Sequence, residues 1–199
     1  MFNTVLRFFR SGQRRLGPPR NLSKERRGHF FSWFNLEPDG EPKASGRDTW
    51  LSFRPSGSAF QALVRVDVMV RNGDRIVGSE LWIDRSFIDG MQSSFARDIA
   101  AGFLSWALKD EETETKAALI ANIGSISAAN EPVIMRTDAA PPKPSADETG
   151  GYAVFTGHRE LATFALGATD VTMRNGTSDD RSQKWLSIKI ASTSGEHAS

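Results

Sequence analysis

From Phe60 to Val70 the side chains alternate, with Ala62, Val64, Val66, Val68 and Val70 on one face of an extended strand. Asn72-Gly73 follows, the preferred pair for a two-residue type I′ turn, and a second alternating run begins at Asp74. If Arg71 faces Asp74, the register sets Val68 opposite Val77, Val66 opposite Ser79, Val64 opposite Leu81 and Ala62 opposite Ile83. On the other face the same register pairs Arg65 with Glu80 and Leu63 with Trp82. A β-hairpin with a buried valine face is therefore predicted.

After Asp84 the apolar spacing changes from two to about 3.6. Ile88, Met91, Phe95, Ile99, Phe103 and Trp106 form one stripe, and Asp89 and Gln92 stand three apart as a capping pair. This predicts a core-facing helix over about 86–108, whose stripe reads as packing, not as a ligand box. Gly102 inside it costs about 1 kcal/mol relative to Ala, which points to close approach of another element there. Four acids at Asp110, Glu111, Glu112 and Glu114 precede Leu119, Ile120, Ile123 and Ile126, giving a second helix over about 111–128 with acids at its positive end.

Further strands are expected at Trp50–Phe53, at Val133–Arg136, and in YAVFTG, DVTMR and WLSIKI; RELATFAL (159–166) reads equally as strand or as one or two helical turns. The fold class is α+β: a mostly antiparallel sheet with the two helices packed on it. Residues 1–48 read as a basic arm and linker, the linker being LEPDGEPKASGRD (36–48), and residues 49–191 as a single domain. A Pro-rich exposed loop, 138–151, interrupts that domain, and 192–199 is a disordered tail.

Charge changes this picture at one place. Residues 1–29 hold eight basic side chains, Arg7, Arg10, Arg14, Arg15, Arg20, Lys24, Arg26 and Arg27, against one acid, Glu25; the other 170 residues hold 17 basic and 23 acidic groups. On a helical wheel Phe2, Val5, Leu6, Phe9 and Leu16 fall within about 100°, with Arg7, Arg10, Arg14 and Arg15 elsewhere, and Gly17-Pro18-Pro19 ends the pattern. Such a basic amphipathic segment suits a membrane-surface anchor, an organelle transit peptide or a nucleic-acid-binding tail. The bland alternative is a frayed tail or a helix packed on its own body.

Catalytic chemistry is sparse. The 199 residues contain no Cys, which excludes thiolate metal sites and a thiol nucleophile, and no phosphate-loop, dinucleotide, nucleophile-elbow or zincin motif occurs. The three His lie in unlike regions, so neither a metal site nor a cofactor is expected. His158, with Glu160 two residues on and Asp179 and Asp180 as further carboxylates to assist it, is the best acid/base candidate, against the simpler reading of TGHRE as a polar turn. The expected function is a non-enzymatic adaptor or regulatory module. Its arm docks on an anionic membrane or nucleic acid and its body engages a protein partner. A metal-independent enzyme using His158 is the alternative. No apolar run is long enough for a transmembrane segment, and the expected location is the cytoplasm, at the periphery of a membrane where the arm acts as an anchor.

Overall fold

A computed structural model describes residues 20–91, 93–110, 146–166, 169–177 and 183–192. They form an antiparallel sheet of eight strands: β1 (Leu36–Pro38), β2 (Lys43–Ser45), β3 (Asp48–Pro55), β4 (Val64–Arg71), β5 (Arg75–Asp84), β6 (Leu161–Leu166), β7 (Thr169–Thr177) and β8 (Lys184–Ser192). The order is β1-β3-β4-β5-β8-β7-β6, with β2 beside β1 on the same edge of β3. Two meanders, β3-β4-β5 and β6-β7-β8, are thus joined along β5 and β8. The helices are α1 (Leu22–Glu25), α2 (His29–Trp33), α3 (Arg85–Asp89), α4 (Ser93–Ala107) and α5 (Ala146–Phe155). The α+β class expected from the sequence is the one observed. Among the described residues no helix is long and apolar enough to cross a membrane.

The alternation in β4 buries Val64, Val66, Val68 and Val70, and the cross-strand registers continue that face through Phe53, Leu81, Ile83, Leu186, Ile188, Val171, Met173, Ala162 and Phe164. Helix α4 contributes Ala96, Ile99, Ala100, Phe103 and Leu104 to the same core. Burial of each large apolar side chain contributes about 1.5–3 kcal/mol, so this face supplies the main driving force for folding. Gly102 is where α2 crosses α4: a Cβ there would stand 3.0 Å from the Phe34 ring.

The hairpin exists, but its register differs from the sequence derivation. Val68 faces Ser79, Val66 faces Leu81 and Val64 faces Ile83; Arg65 faces Trp82, not Glu80, and Asp67 takes the place opposite Glu80. Asn72 and Gly73 have the positive φ of the expected turn, at 53° and 80°, yet Asp74 is added to the turn and Arg71 pairs with Arg75. Asp74 is drawn out because it holds the N-terminal segment. Its carboxylate accepts hydrogen bonds from the Ser23 amide and hydroxyl, both at 2.8 Å, and its carbonyl accepts from the Leu22 amide at 2.8 Å. A bulge between Met69 and Val70 shifts the register by a second residue. Two one-residue shifts restore the side-chain parity, so the valine face stays buried although every predicted pair is wrong.

Four other expectations are corrected. The helix over 86–108 is two helices: Asp84 caps α3 by accepting from the Ser86 amide at 2.8 Å, and the chain leaves the helical region at Gly90. Asp89 is no N-cap, because it pairs with Arg85 one turn back, and Met91, at the break, is fully exposed. Residues 36–48 are no linker, since β1 and β2 pair with β3. YAVFTG, expected as a strand, falls mostly in α5, which also takes residues 146–151 of the supposed loop; Val154 and Phe155 are buried and α5 packs on β6 and β7. RELATFAL resolves as β6, with Ala162, Phe164 and Leu166 buried in alternation. The second helix over 111–128, the strand Val133–Arg136 and the tail from 193 lie outside the described residues.

Gly102→Val tests the crossing of α2 and α4. The added side chain must displace the Phe34 ring, so the substituted protein should be less stable by about 1–3 kcal/mol in urea denaturation. Unchanged stability would show that α2 does not press on α4 at this point.

Candidate functional site

The segment expected as an arm divides at Arg20. From there onward it folds onto the body, with Leu22, Phe30, Phe31, Phe34 and Leu36 buried in the core. The Glu25 carboxylate is buried beside them and accepts hydrogen bonds from Trp106 Nε1 at 3.0 Å, from Arg20 Nη2 at 3.3 Å and from Lys109 Nζ. Burial pushes the Glu25 carboxyl up, and the Lys109 hydrogen bond and Arg20 guanidinium outweigh it, leaving its pKa below the ordinary value. Arg20 also donates to the Ala107 carbonyl at 2.8 Å and lies over the Trp106 ring at 4.8 Å. It belongs to this internal network, not to an outward-facing cationic surface.

Lys24, Arg26 and Arg27 are different. All three are exposed, and none has a carboxylate partner among the described residues. Arg26 rests over the Phe53 ring at 5.5 Å, and the exposed Arg75 is brought beside the segment by a β-bridge to Asn21. Arg7, Arg10, Arg14 and Arg15, with the apolar residues Phe2, Val5, Leu6, Phe9 and Leu16, lie outside the described residues.

His158 and Glu160 are exposed in the turn between α5 and β6. The His158 Nδ1 is 2.8 Å from the Thr156 hydroxyl, and the turn is tied to β7 by the Asn175 amide, which donates to the carbonyls of Val154 and Arg159 at 2.6 and 2.9 Å. The carboxylates expected to assist, Asp179 and Asp180, lie outside the described residues. Among the described residues no group of three His, Asp or Glu side chains is placed to hold a metal ion.

The second face of the sheet, seen in the sequence only as cross-strand pairs of Arg65 and Trp82, holds a site the sequence did not suggest. Trp50, Arg65, Asp67, Glu80, Trp82, Trp185, Ser187 and Lys189 alternate with the core residues and point away from them. Trp82 and Trp185 meet edge to face at 4.5 Å, and Arg65 lies over Trp82 at 4.8 Å while binding Asp67 at 3.0 Å. At the end of this face is a recess of about 230 Å³ lined by Arg54, Leu63, Arg65, Trp82, Asp84 and Trp185. Trp82 Nε1 is buried there without a hydrogen-bond partner. Nearby, Ser187 donates to Glu80, whose carboxyl is pushed up by burial against the lowering effect of that hydrogen bond. Neither His158 nor Glu160 lines the recess. Strand periodicity marks Trp82 as outward-facing, but its meeting with Trp185 requires the pairing of β5 with β8, more than a hundred residues apart in sequence.

Comparison of the chain with family models, with curated proteins and with solved structures finds no match.

The buried Glu25 and the half-buried Glu80 should act oppositely on stability. Glu25 has a depressed folded pKa, so its contribution is present above the unfolded value and is lost as pH falls through the folded one. Glu25→Gln should therefore cost about 1–3 kcal/mol at pH 7, and the gap to the parent should narrow in acid. Glu80 has a raised folded pKa, so its ionised form opposes folding above that value. Glu80→Gln should raise the Tm at pH 7 and have little effect below the ordinary carboxylate range. Thermal melts at several pH values check both, and parallel curves for parent and variants would contradict the assignments.

Proposed function

We propose that the protein is a non-enzymatic binding module that docks on an anionic surface through its basic N-terminal segment and engages a protein partner with its body. The observation carrying this reading is the contrast within one short segment. Arg20 is consumed by Glu25 and the Ala107 carbonyl, whereas Lys24, Arg26 and Arg27 stand exposed with no carboxylate partner among the described residues. Stability explains the first residue; of the other three, Arg26 rests over the Phe53 ring, and none has its charge paired with a carboxylate among the described residues. The internal network fixes the backbone from which these three cations project, and a fixed cluster loses less conformational freedom on docking than a loose one. The body's partner surface, on this reading, is the second face of the sheet, where Trp82, Trp185 and Arg65 surround the recess. Trp and Arg are the residue types that most often anchor protein interfaces.

The enzyme alternative draws no comparable support. His158 is an exposed turn residue whose ring contacts Thr156, and Glu160 is exposed beside it.

Joint replacement of Lys24, Arg26 and Arg27 by Gln tests the reading, because exposed side chains can be changed with little effect on the fold. Each basic residue near an anionic surface contributes about 1 kcal/mol, so the three together should weaken binding roughly a hundredfold. Sedimentation with phosphatidylserine vesicles and gel shift with a single-stranded RNA measure it. Parent-like affinity of the triple variant for whichever surface binds would contradict the proposal.

A further inference from the structure

Helix α2 runs His29, Phe30, Phe31, Ser32, Trp33 and is followed by Phe34. Three of its aromatic neighbours point inward: Phe30, Phe31 and Phe34 are buried and pack on Phe103, Trp106, Phe53 and Phe95. Trp33 points the other way and is 67% exposed, whereas Trp106 is buried and Trp50, Trp82 and Trp185 are half-buried. The indole is not loose. The His29 ring stacks on it with centroids 5.2 Å apart and planes at 20°. His29 in turn is separated from Arg27 by Gly28 alone, so the exposed indole and the exposed cations Lys24, Arg26 and Arg27 belong to one ten-residue stretch, 24–33.

We propose that the anionic surface recognised by this segment is a phospholipid bilayer, with Trp33 entering the headgroup region and Lys24, Arg26 and Arg27 meeting lipid phosphates and carboxylates. This rests on the docking function proposed above. An indole has an apolar body and one N–H donor, the combination that places Trp at membrane–water interfaces. The exposed cations of the same segment supply the attraction to anionic lipid, and each part makes the other's binding stronger. The geometry fits a single-stranded nucleic acid less well. Such ligands stack successive bases on several aromatic rings along a positively charged groove, whereas Trp33 is a single outward ring with His29 already against it. The aromatic pair on the sheet is crossed at 61°, which offers no common stacking plane.

The test uses the full chain and its Trp33→Ala and Trp33→Phe variants, with the Lys24, Arg26 and Arg27 triple Gln variant as reference. Binding is measured to vesicles of phosphatidylcholine with 3:1 phosphatidylserine, to phosphatidylcholine alone, and to a single-stranded RNA. The expected result is binding to the mixed vesicles, roughly tenfold weaker for Trp33→Ala at unchanged Tm, with less loss for Trp33→Phe. Subtracting the Trp33→Phe emission spectrum from that of the parent should show a blue shift of Trp33 on mixed vesicles and quenching by brominated lipid. Parent-like vesicle affinity of Trp33→Ala with no blue shift would overturn the proposal, and loss in the triple variant alone would leave the docking function standing. Binding to RNA but not to vesicles would also overturn it and identify nucleic acid as the surface. Binding to neither would remove the docking function itself.

Discussion

Glu25 is a carboxylate in a nearly solvent-free position, and the arrangement of the first described segment follows from how that charge is satisfied. An unpaired buried charge costs several kcal/mol, so the site is stable only with its donors in place. Those donors come from two parts of the chain: Arg20 from the segment itself, and Trp106 and Lys109 from the end of α4 and just beyond it. Once they converge, α1 and α2 are fixed against α4. Phe30 then stacks on Trp106 and Phe31 meets Phe53 edge to face. The carboxylate is a poor source of net stability by comparison with those rings, and its value lies in fixing which way the segment lies. Asp74 makes the second attachment, at the hairpin turn, by holding Leu22 and Ser23. With both attachments made, the backbone that carries the exposed cations Lys24, Arg26 and Arg27 is held to the body.

The sheet obeys a different constraint. The described helices pack on the valine face, and the other face must satisfy its polar groups among its own side chains. It does so in short pairs: Ser52 with Asp67, Arg65 with Asp67, and Ser187 with Glu80. Aromatic residues fill the spaces between them, and Gly176 gives Trp185 room to lie across the strand, since a Cβ there would stand 2.3 Å from the indole. The recess at the end of this face has the mixed polar and aromatic lining that binding surfaces use.

Much of the fold was legible because periodicity is a local property. The alternation in β4 and β5 marks the valine face, the 3.6 spacing marks α4, and Gly102 marks a close crossing, all of which the structure contains. What escaped depends on distant groups. The hairpin register was derived from the turn and from Arg65 facing Glu80, but Asp74 serves Ser23 and the bulge at Met69 and Val70 adds a second shift. Nothing near the turn announces a contact with a residue about fifty positions earlier. The same applies to Arg20: its charge was visible, while its partners Ala107 and Glu25 are set by the packing of α1 on α4. Tyr152 to Phe155 alternate well enough to pass for a strand, yet they end a helix that packs on β6 and β7. Of the candidate site, the exposed Lys24, Arg26 and Arg27 came from charge counting, and the tryptophan pair on the second face did not.

Residues 20–36 are part of the folded body and not an independent arm. Hydrogen exchange on the full chain, followed residue by residue, tests this most directly. The amides of Leu22, Arg26 and Gly28, bonded to Asp74, Leu22 and Glu25, should be protected together with that of Ile76, which donates to the Arg20 carbonyl. In Glu25→Gln their protection should fall while that of the β4 amides is largely kept. Exchange of Leu22, Arg26 and Gly28 at the rate of an unstructured peptide in the parent protein, with β4 protected, would contradict the account.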